Sequence, residues 1–402
     1  MNAARPARPR KRDNMYWIGL RVLPLIILGC LVYVHHAYRA RAARRGHLEG
    51  SLHPHAHPHG AAAAAAAAAA PASAAGPHPG APAALAQPPP RQSAAAAAAA
   101  AQDGLGAPNT VHYIFGMEPG FGHMGFSLMH LISVLATAMY IRPAGGIFWH
   151  GLYFPPANNT WWACAEPLLQ RVQEQDVRVI HGKEYPGLHV AHKADIIRMR
   201  ILRETGGIYL DSDIIPLASF EEVRRAGGQR RLIMGLEEAP GQVGLCNAVL
   251  VGAANTSFVN RWWDAYATFD PSASWAYHSV ILPRELASAH PEEITILSGQ
   301  AFFKPVWTEL RELYEADDGY DYRDNFAVHL WTSQEAKTYG GLGKLTMAGV
   351  FAGNGSFHRV ARRVLRDAQA EGLLCAAADF ERHAGARAPE PWRGKKYIRP
   401  VP

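Results

Sequence analysis

From Asn109 to about Trp331, short apolar runs alternate with helix-length segments. That alternation confines the chain to the α/β class more tightly than any other feature. Val111–Gly116 (VHYIFG), Gly146–Gly151 (GIFWHG), Val177–Gly182 (VRVIHG) and Gly207–Asp213 (GIYLDSD) read as strands. Phe126–Ile141, a segment around Cys164–Glu174, and His192–Glu204 read as the helices between them. Strand, helix and strand in this order give βαβ units and a mostly parallel sheet. Further strands are expected at Arg231–Leu236, Ala248–Gly252 and Phe326–Trp331. Further helices are expected at Ser257–Phe269, Ser279–Ser288 and Pro305–Glu315. Residues 108–402 are thus expected to form one α/β domain with a more mixed C-terminal half.

What precedes that domain is of another kind. Residues 1–14 carry Arg5, Arg8, Arg10, Lys11 and Arg12. The 20 residues Met15–Val34 (MYWIGLRVLPLIILGCLVYV) follow. As a helix they span ~30 Å, one hydrocarbon thickness. Arg21 sits near one end, where its side chain can snorkel, and Tyr16, Trp17 and Tyr33 sit near the two interfaces. A cleaved signal peptide has a shorter apolar core followed by small residues, whereas this one runs into His35, His36, Tyr38 and Arg39. The expectation is a transmembrane signal-anchor over residues 15–36 with 1–14 as cytoplasmic tail. Residues 37–107 hold HPHAHPHG, ten alanines from Ala61 and eight more from Ala94. Such a segment has little to bury and reads as a disordered Ala/Pro/His stem. His53, His55, His57 and His59 are read as spacer composition rather than as a metal site.

The net charge of +6 comes from this N-terminal part. Of 40 basic and 34 acidic residues, 11 and 3 lie at or before Pro108, leaving 29 and 31 for the domain. A near-neutral domain carries no footprint for nucleic acid. Hydrophobic residues make up 49% of the chain, enough for a sizeable core. Four cysteines exclude a disulfide scaffold. Beyond the apolar span, Cys164, Cys246 and Cys375 permit at most one bridge, and spacing does not choose the pair. Sequons at Asn158, Asn255 and Asn354 are compatible with a secretory route.

Chemistry concentrates at the end of the fourth expected strand. In an open α/β sheet, ligands bind beyond the carboxyl ends of the strands. Gly206-Gly207-Ile208-Tyr209-Leu210 leads there into Asp211-Ser212-Asp213. Two carboxylates two positions apart share one side of an extended chain, and their hard oxygens suit Mg²⁺ or Mn²⁺ bridging protein to phosphate. An acidic pair alone is weak evidence. Just upstream, however, His192, Asp195 and Arg198 fall at i, i+3 and i+6, a polar stripe on an otherwise apolar helix. Beside the acidic strand end, that stripe reads as facing a nucleotide.

The stretch HKADIIRMRILRETGGIYLDSDIIPL, His192–Leu217, resembles the DXD-containing sugar-binding region of glycosyltransferase family 32. That group includes α-1,4-galactosyltransferases and initiation-specific mannosyltransferases. VHYIFG, NAVLVG and AVHLW (Ala327–Trp331) extend the resemblance over roughly residues 109–335, and the last ~65 residues match nothing recognisable. The resemblance implies a GT-A fold and retaining transfer from a UDP- or GDP-sugar to a glycan, glycolipid or glycoprotein. It implies a divalent cation, Mn²⁺ with Mg²⁺ as the alternative; together with the apolar span at Met15–Val34, the expectation is a Golgi membrane protein of single-pass type II with a lumenal domain. By position, Asp213 would ligate the metal, with Asp211 assisting and also binding the donor's ribose or sugar. His329 would be a third metal or diphosphate contact, and Trp331 would lie near the leaving phosphates. His192, Asp195 and Arg198 would face the donor, Gly206, Gly207 and Tyr209 would shape the approach, and Asn247 would lie near the transferred sugar or acceptor.

No general base or nucleophile stands out. Retention is open to a covalent carboxylate intermediate or to front-face attack. Glu237, Glu238 and Asp264 follow the sixth element and read as surface or supporting positions. Trp161, Trp162, Trp262, Trp263, Trp275 and Tyr277 are candidates for a sugar-stacking platform, most of them expected in the core. Two alternatives use the same residues. A haloacid-dehalogenase-type phosphatase also places D-x-D after a strand, but near the start of its domain and usually with x-[TV] following; here Ile214 and Ile215 follow. A membrane-tethered, non-catalytic carbohydrate-binding protein is expected to have lost the metal carboxylates, and both are present.

Overall fold

The computed structural model describes residues 103–121, 125–316 and 319–376. The expected tail, membrane span and almost all of the stem lie outside the described residues, among which no helix is long and apolar enough to cross a membrane.

The chain opens with β1 (Val111–Ile114), α1 (Leu128–Ala136) and β2 (Ile147–Gly151). Every residue of α1 is buried, as its apolar sequence LMHLISVLA requires. Next come α2 (Thr160–Ala165), β3 (Leu169–Gln173), and a hairpin of β4 (Val179–Ile180) and β5 (Lys183–Glu184). Then follow α3 (Val190–Glu204), β6 (Gly207–Leu210), β7 (Ile214–Pro216), α4 (Glu221–Gly227), β8 (Leu232–Ala239) and β9 (Gln242–Gly252). The remainder holds α5 (Ser257–Ala265), α6 (Leu282–Ala289), β10 (Ile294–Leu297), α7 (Leu310–Tyr314), β11 (Ala327–His329), α8 (Thr332–Tyr339), α9 (Met347–Ala352) and α10 (Ser356–Ala370).

Seven strands form one mixed sheet in the order β10-β8-β9-β6-β1-β2-β3. β3, β2, β1 and β6 run parallel, and β9 is antiparallel to β6 and β8. The two faces carry separate apolar clusters. One holds α1, α2, β7 and α10; the other holds α3, α5 and the apolar side of α6. The fold is α/β, as the alternation requires.

Two expected elements differ. The helix around Cys164–Glu174 is instead α2, capped by the Asn159 side chain accepting from Trp162 N, followed by strand β3. A short 3₁₀ turn over Glu166–Leu168 ends the helical stretch, and Leu169–Gln173 pairs in parallel with β2 as the edge strand of the main sheet. The strand at Val177–Gly182 is the short β4–β5 hairpin outside the main sheet. β7, α4, β10, α8, α9 and α10 were not anticipated.

β1 is the topological switch point: the chain leaves it for β2 and β3 on one side and returns through α3 to β6 on the other. The return is tight. Gly206 and Gly207 have φ of 65° and 110°, in the region L side chains avoid. A Cβ on Gly206 would lie 2.5 Å from Ala254 N, and one on Gly207 2.5 Å from Thr110 Oγ1. Glycine at both positions is therefore what locks α3 to the strand bearing the acidic pair.

Cys164 on α2 is bridged to Cys375 just beyond α10, across a separation of 211 residues, leaving Cys246 as a buried free thiol. A bridge closing so long a loop removes much chain entropy from the unfolded state. Cys375→Ser is expected to lower the unfolding free energy by about 2–5 kcal/mol. An unchanged denaturation midpoint in that variant would show that the bridge contributes nothing.

Candidate active site

A cavity of about 570 Å³ opens beyond the carboxyl ends of β1 and β6. The local logic of α3 and β6 fills its floor. Tyr209 lies near the end of β6, and the turn that follows, closed by Ile214 N donating to the Asp211 carbonyl at 3.0 Å, carries Asp211 and Asp213 into the same cavity. On α3, His192, Asp195 and Arg198 are buried along one face and all line the cavity.

These groups form one network. Arg198 Nη1 lies 3.0 Å from Asp211 Oδ1, and Nη2 lies 3.4 Å from Asp195 Oδ1. Arg198 also donates to the Asn247 carbonyl at 2.7 Å, and its guanidinium sits 4.5 Å above the Tyr209 ring. Asn247 Nδ2 donates to Asp195 Oδ1 at 2.7 Å, His192 Nδ1 lies 3.4 Å from Asp195 Oδ2, and the Tyr209 hydroxyl donates to Asp211 Oδ1. A guanidinium held by two carboxylates and a carbonyl satisfies a buried charge as such burial demands.

The second half of the site comes from far along the chain. β7 pairs antiparallel with β11, placing His329 opposite Ile214. His329 Nε2 therefore lies 3.3 Å from Asp213 Oδ1. The other Asp213 oxygen accepts from Thr332 N at 3.0 Å and Thr332 Oγ1 at 2.8 Å. The turn that delivers Thr332 is strained: Trp331 has φ 52° and ψ 44°, the left-handed region. Its indole holds that shape by donating to the Pro305 carbonyl at 2.9 Å and packing on His329 with ring centroids 3.9 Å apart.

Asp211, Asp213 and His329 offer ligand atoms that all lie within 4.8 Å of one another. Two hard oxygens and an imidazole form a donor set that Mn²⁺ accepts and Mg²⁺ tolerates. The electrostatics also favour a cation. Burial lifts Asp211 above the ordinary carboxylate range, with Asp213 adding to the rise and Arg198 opposing it. Burial would likewise raise Asp213, but the His329 charge and the Thr332 hydrogen bonds hold it well below that range. Burial works against a charged His329, yet the Asp213 carboxylate outweighs it and lifts the imidazole above its usual value. His329 Nδ1 is buried with no hydrogen-bond partner among the described residues. The residues present fit a divalent cation. The other cluster of this type among the described residues, His290, Glu292 and Glu293, is surface-lying, and its Glu293 is already paired with Arg261 at 2.8 Å.

The structure brings His192, Asp195, Arg198, Tyr209, Asp211, Asp213, Asn247, His329 and Trp331 to one cavity. It does not bring Gly206 and Gly207 there. They lie at the opposite end of β6, where they set the α3–β6 turn rather than approach a ligand. Glu237 corrects the sequence reading in the other direction. It is 3% exposed and lines the cavity, where its Oε1 accepts from Gln242 Nε2 at 2.9 Å and Trp307 Nε1 at 3.1 Å. Glu238 and Asp264 are exposed. Cys246 also lines the cavity, but burial, reinforced by the Glu237 charge, pushes its thiol well up, so it is no nucleophile. Thr332 escaped sequence reasoning because an uncharged residue after a His-x-Trp run carries no signal of its own.

Residues 170–229, spanning α3 and both carboxylates, match the family model described as glycosyltransferase sugar-binding region containing DXD motif. The class of protein is thereby defined as a glycosyltransferase. The chain is 32% identical over 273 residues to glucan organizing enzyme 1 of Cryptococcus neoformans var. grubii serotype A, covering 64% of this chain and 71% of that relative. It belongs to the DXD glycosyltransferases of the family 32 type. Membership in a transferase family removes the phosphatase alternative. Among solved structures, the galactosyltransferase LgtC, in complex with donor and acceptor sugar analogues, is 13% identical with a TM-score of 0.33, covering 70% of this chain and 97% of that one. The glycosyltransferase GlyE of Streptococcus pneumoniae TIGR4 is 10% identical with a TM-score of 0.37, covering 67% and 64%.

Proposed function

We propose that the chain is a metal-dependent, retaining glycosyltransferase of GT-A architecture. It moves a sugar from a UDP- or GDP-sugar to a glycan, glycolipid or glycoprotein acceptor. The observation that carries this reading is the convergence of Asp211, Asp213 and His329 at the carboxyl end of β6, with Arg198 locked behind them. Asp211, Asp213 and His329 would hold Mn²⁺ or Mg²⁺. Such a cation, when bound, neutralises charge developing on the departing diphosphate. Arg198 fixes the Asp211 carboxylate, and Thr332 fixes that of Asp213, so neither has to reorganise during reaction. Trp331 and the α3 stripe wall the donor side.

We assign to Glu237, a buried carboxylate that lines the cavity apart from the Arg198 and Asp213 networks, the role of facing positive charge on the transferred sugar. Retaining transfer passes through an oxocarbenium-like state that a nearby carboxylate stabilises. Glu237→Gln keeps the shape and an acceptor for Gln242 and Trp307. It is expected to lower kcat roughly 10²-fold or more with unchanged thermal stability. Full activity in that variant would remove Glu237 from the chemistry.

We further propose the Golgi lumen as the site of action, with residues 15–36 as a single-pass type II anchor and 37–107 as a stem. The Cys164–Cys375 bridge supports an oxidising compartment, and the sequon residues Asn158, Asn255 and Asn354 are all exposed.

The experiment is isothermal binding of a UDP- and GDP-sugar panel to the detergent-solubilised full chain, with and without Mn²⁺. Metal-dependent binding of one donor names the sugar. A folded chain that binds none of them rejects the proposal.

A further inference from the structure

The six aromatic residues considered as a sugar platform separate cleanly. Trp162 and Trp262 are core, Trp161, Trp263 and Tyr277 are half-buried, and Trp275 is 61% exposed. A single exposed hydrophobic side chain is ordinary; what distinguishes Trp275 is its place at two cavities.

Trp275 stands where two cavities meet. It lines the 570 Å³ cavity that holds the carboxylates and a second one of about 430 Å³. His189 and His192 also line both, so the two adjoin along the start of α3. Each volume lies in the range of small-ligand sites. The indole is oriented rather than loose. Its ring is 4.7 Å from that of His189 at 85°, and 5.3 Å from that of His192 at 48°. His189 in turn caps α3, its Nδ1 accepting from Ala191 N at 3.2 Å.

The second cavity's chemistry selects its occupant. Tyr185, Leu188, Pro271 and Trp275 give it apolar walls, with Glu184 and His189 as polar groups among them. Among the described residues neither Lys nor Arg lines it, and the neighbouring Lys183 sits over the Tyr185 ring at 5.0 Å, so the lining suits a neutral ligand better than an anion. A neutral pyranose has the matching form: a face of C–H groups, slightly positive, that stacks on the negative face of an aromatic ring, and hydroxyls around its edge.

We propose that Trp275 and the second cavity form an acceptor subsite for sugar residues beyond the one being glycosylated. The acceptor is then a neutral oligosaccharide of at least two residues rather than a single sugar. The proposal rests on the transferase reading for its direction, since the reacting end must lie at the carboxylate cavity.

The test uses the full chain and a panel of mono- to tetrasaccharides of glucose, galactose, mannose and N-acetylglucosamine, with affinity measured against length. Wild type is expected to bind a tetrasaccharide about tenfold or more tightly than its monosaccharide, the contribution of one buried aromatic anchor. Trp275→Ala is expected to abolish that gain, and Trp275→Phe, which keeps a stacking face, to retain most of it. At this exposed position the core is untouched by either change. No gain with length for any series in wild type, or a gain that survives Trp275→Ala, overturns the proposal. Nucleotide-sugar binding by wild type is read separately. Its failure sinks the donor reading, whereas intact donor binding without a Trp275-dependent gain sinks only the subsite.

Discussion

Asp213→Asn is expected to reduce transfer about 10³-fold and to remove the dependence of donor binding on Mn²⁺. The substitution is chosen for what it spares. Asparagine keeps a carbonyl oxygen to accept from Thr332 N and Oγ1, which now bond Asp213 at 3.0 and 2.8 Å. It removes the negative charge that holds His329 in its raised state and that a divalent cation requires. Mn²⁺ binding followed by electron paramagnetic resonance gives a readout independent of turnover. A variant that binds Mn²⁺ as wild type does would refute the assignment of Asp213 as a ligand, whatever its activity.

Arg198→Met is expected to cost about 3–5 kcal/mol of stability, in addition to loss of donor binding. Arg198 is 4% exposed and is the cation that faces both Asp195 and Asp211. Methionine approximates the volume of the stem but removes the only cation in contact with either carboxylate among the described residues, leaving Asp195 to Asn247 Nδ2 and His192, Asp211 to the Tyr209 hydroxyl, and the Asn247 carbonyl without the guanidinium. Lysine is expected to rescue poorly, because one ammonium cannot reproduce the fork that meets Asp211, Asp195 and Asn247 together. Denaturant titration of the variant decides it. Unfolding within 1 kcal/mol of wild type would mean that the network is solvated and contributes little.

How much of this was legible depended on distance along the chain. The α3–β6 unit was readable because its parts are local. A helical stripe at i, i+3 and i+6, a two-glycine turn and a strand ending in two carboxylates leave little freedom for how Arg198 meets Asp211. The misread helix at Cys164–Glu174 was a local question only at its start, which the Asn159 cap sets; its second half is a strand because it pairs with β2. His329 was suggested by resemblance alone. Its place beside Asp213 depends on β7 pairing with β11, whose register no local pattern encodes. Thr332 reaches Asp213 only because Trp331 adopts a left-handed turn, which its side chain does not favour. Glu237 looked like a surface carboxylate because burial is a property of what packs over a residue. The choice of Cys375 over Cys246 as the partner of Cys164 is of the same kind.

By itself, then, the sequence determined the α/β class, the acidic strand end and the polar face of α3, because periodicity and tight turns act over a few residues. Tertiary structure alone decided which distant groups complete the site, which carboxylate is buried in the cavity, and which tryptophan stays in water. Those outcomes depend on strand pairing and packing between distant segments, 119 residues apart for Asp213 and Thr332 and 70 for Glu237 and Trp307, and a pattern that acts over a few residues does not encode such contacts.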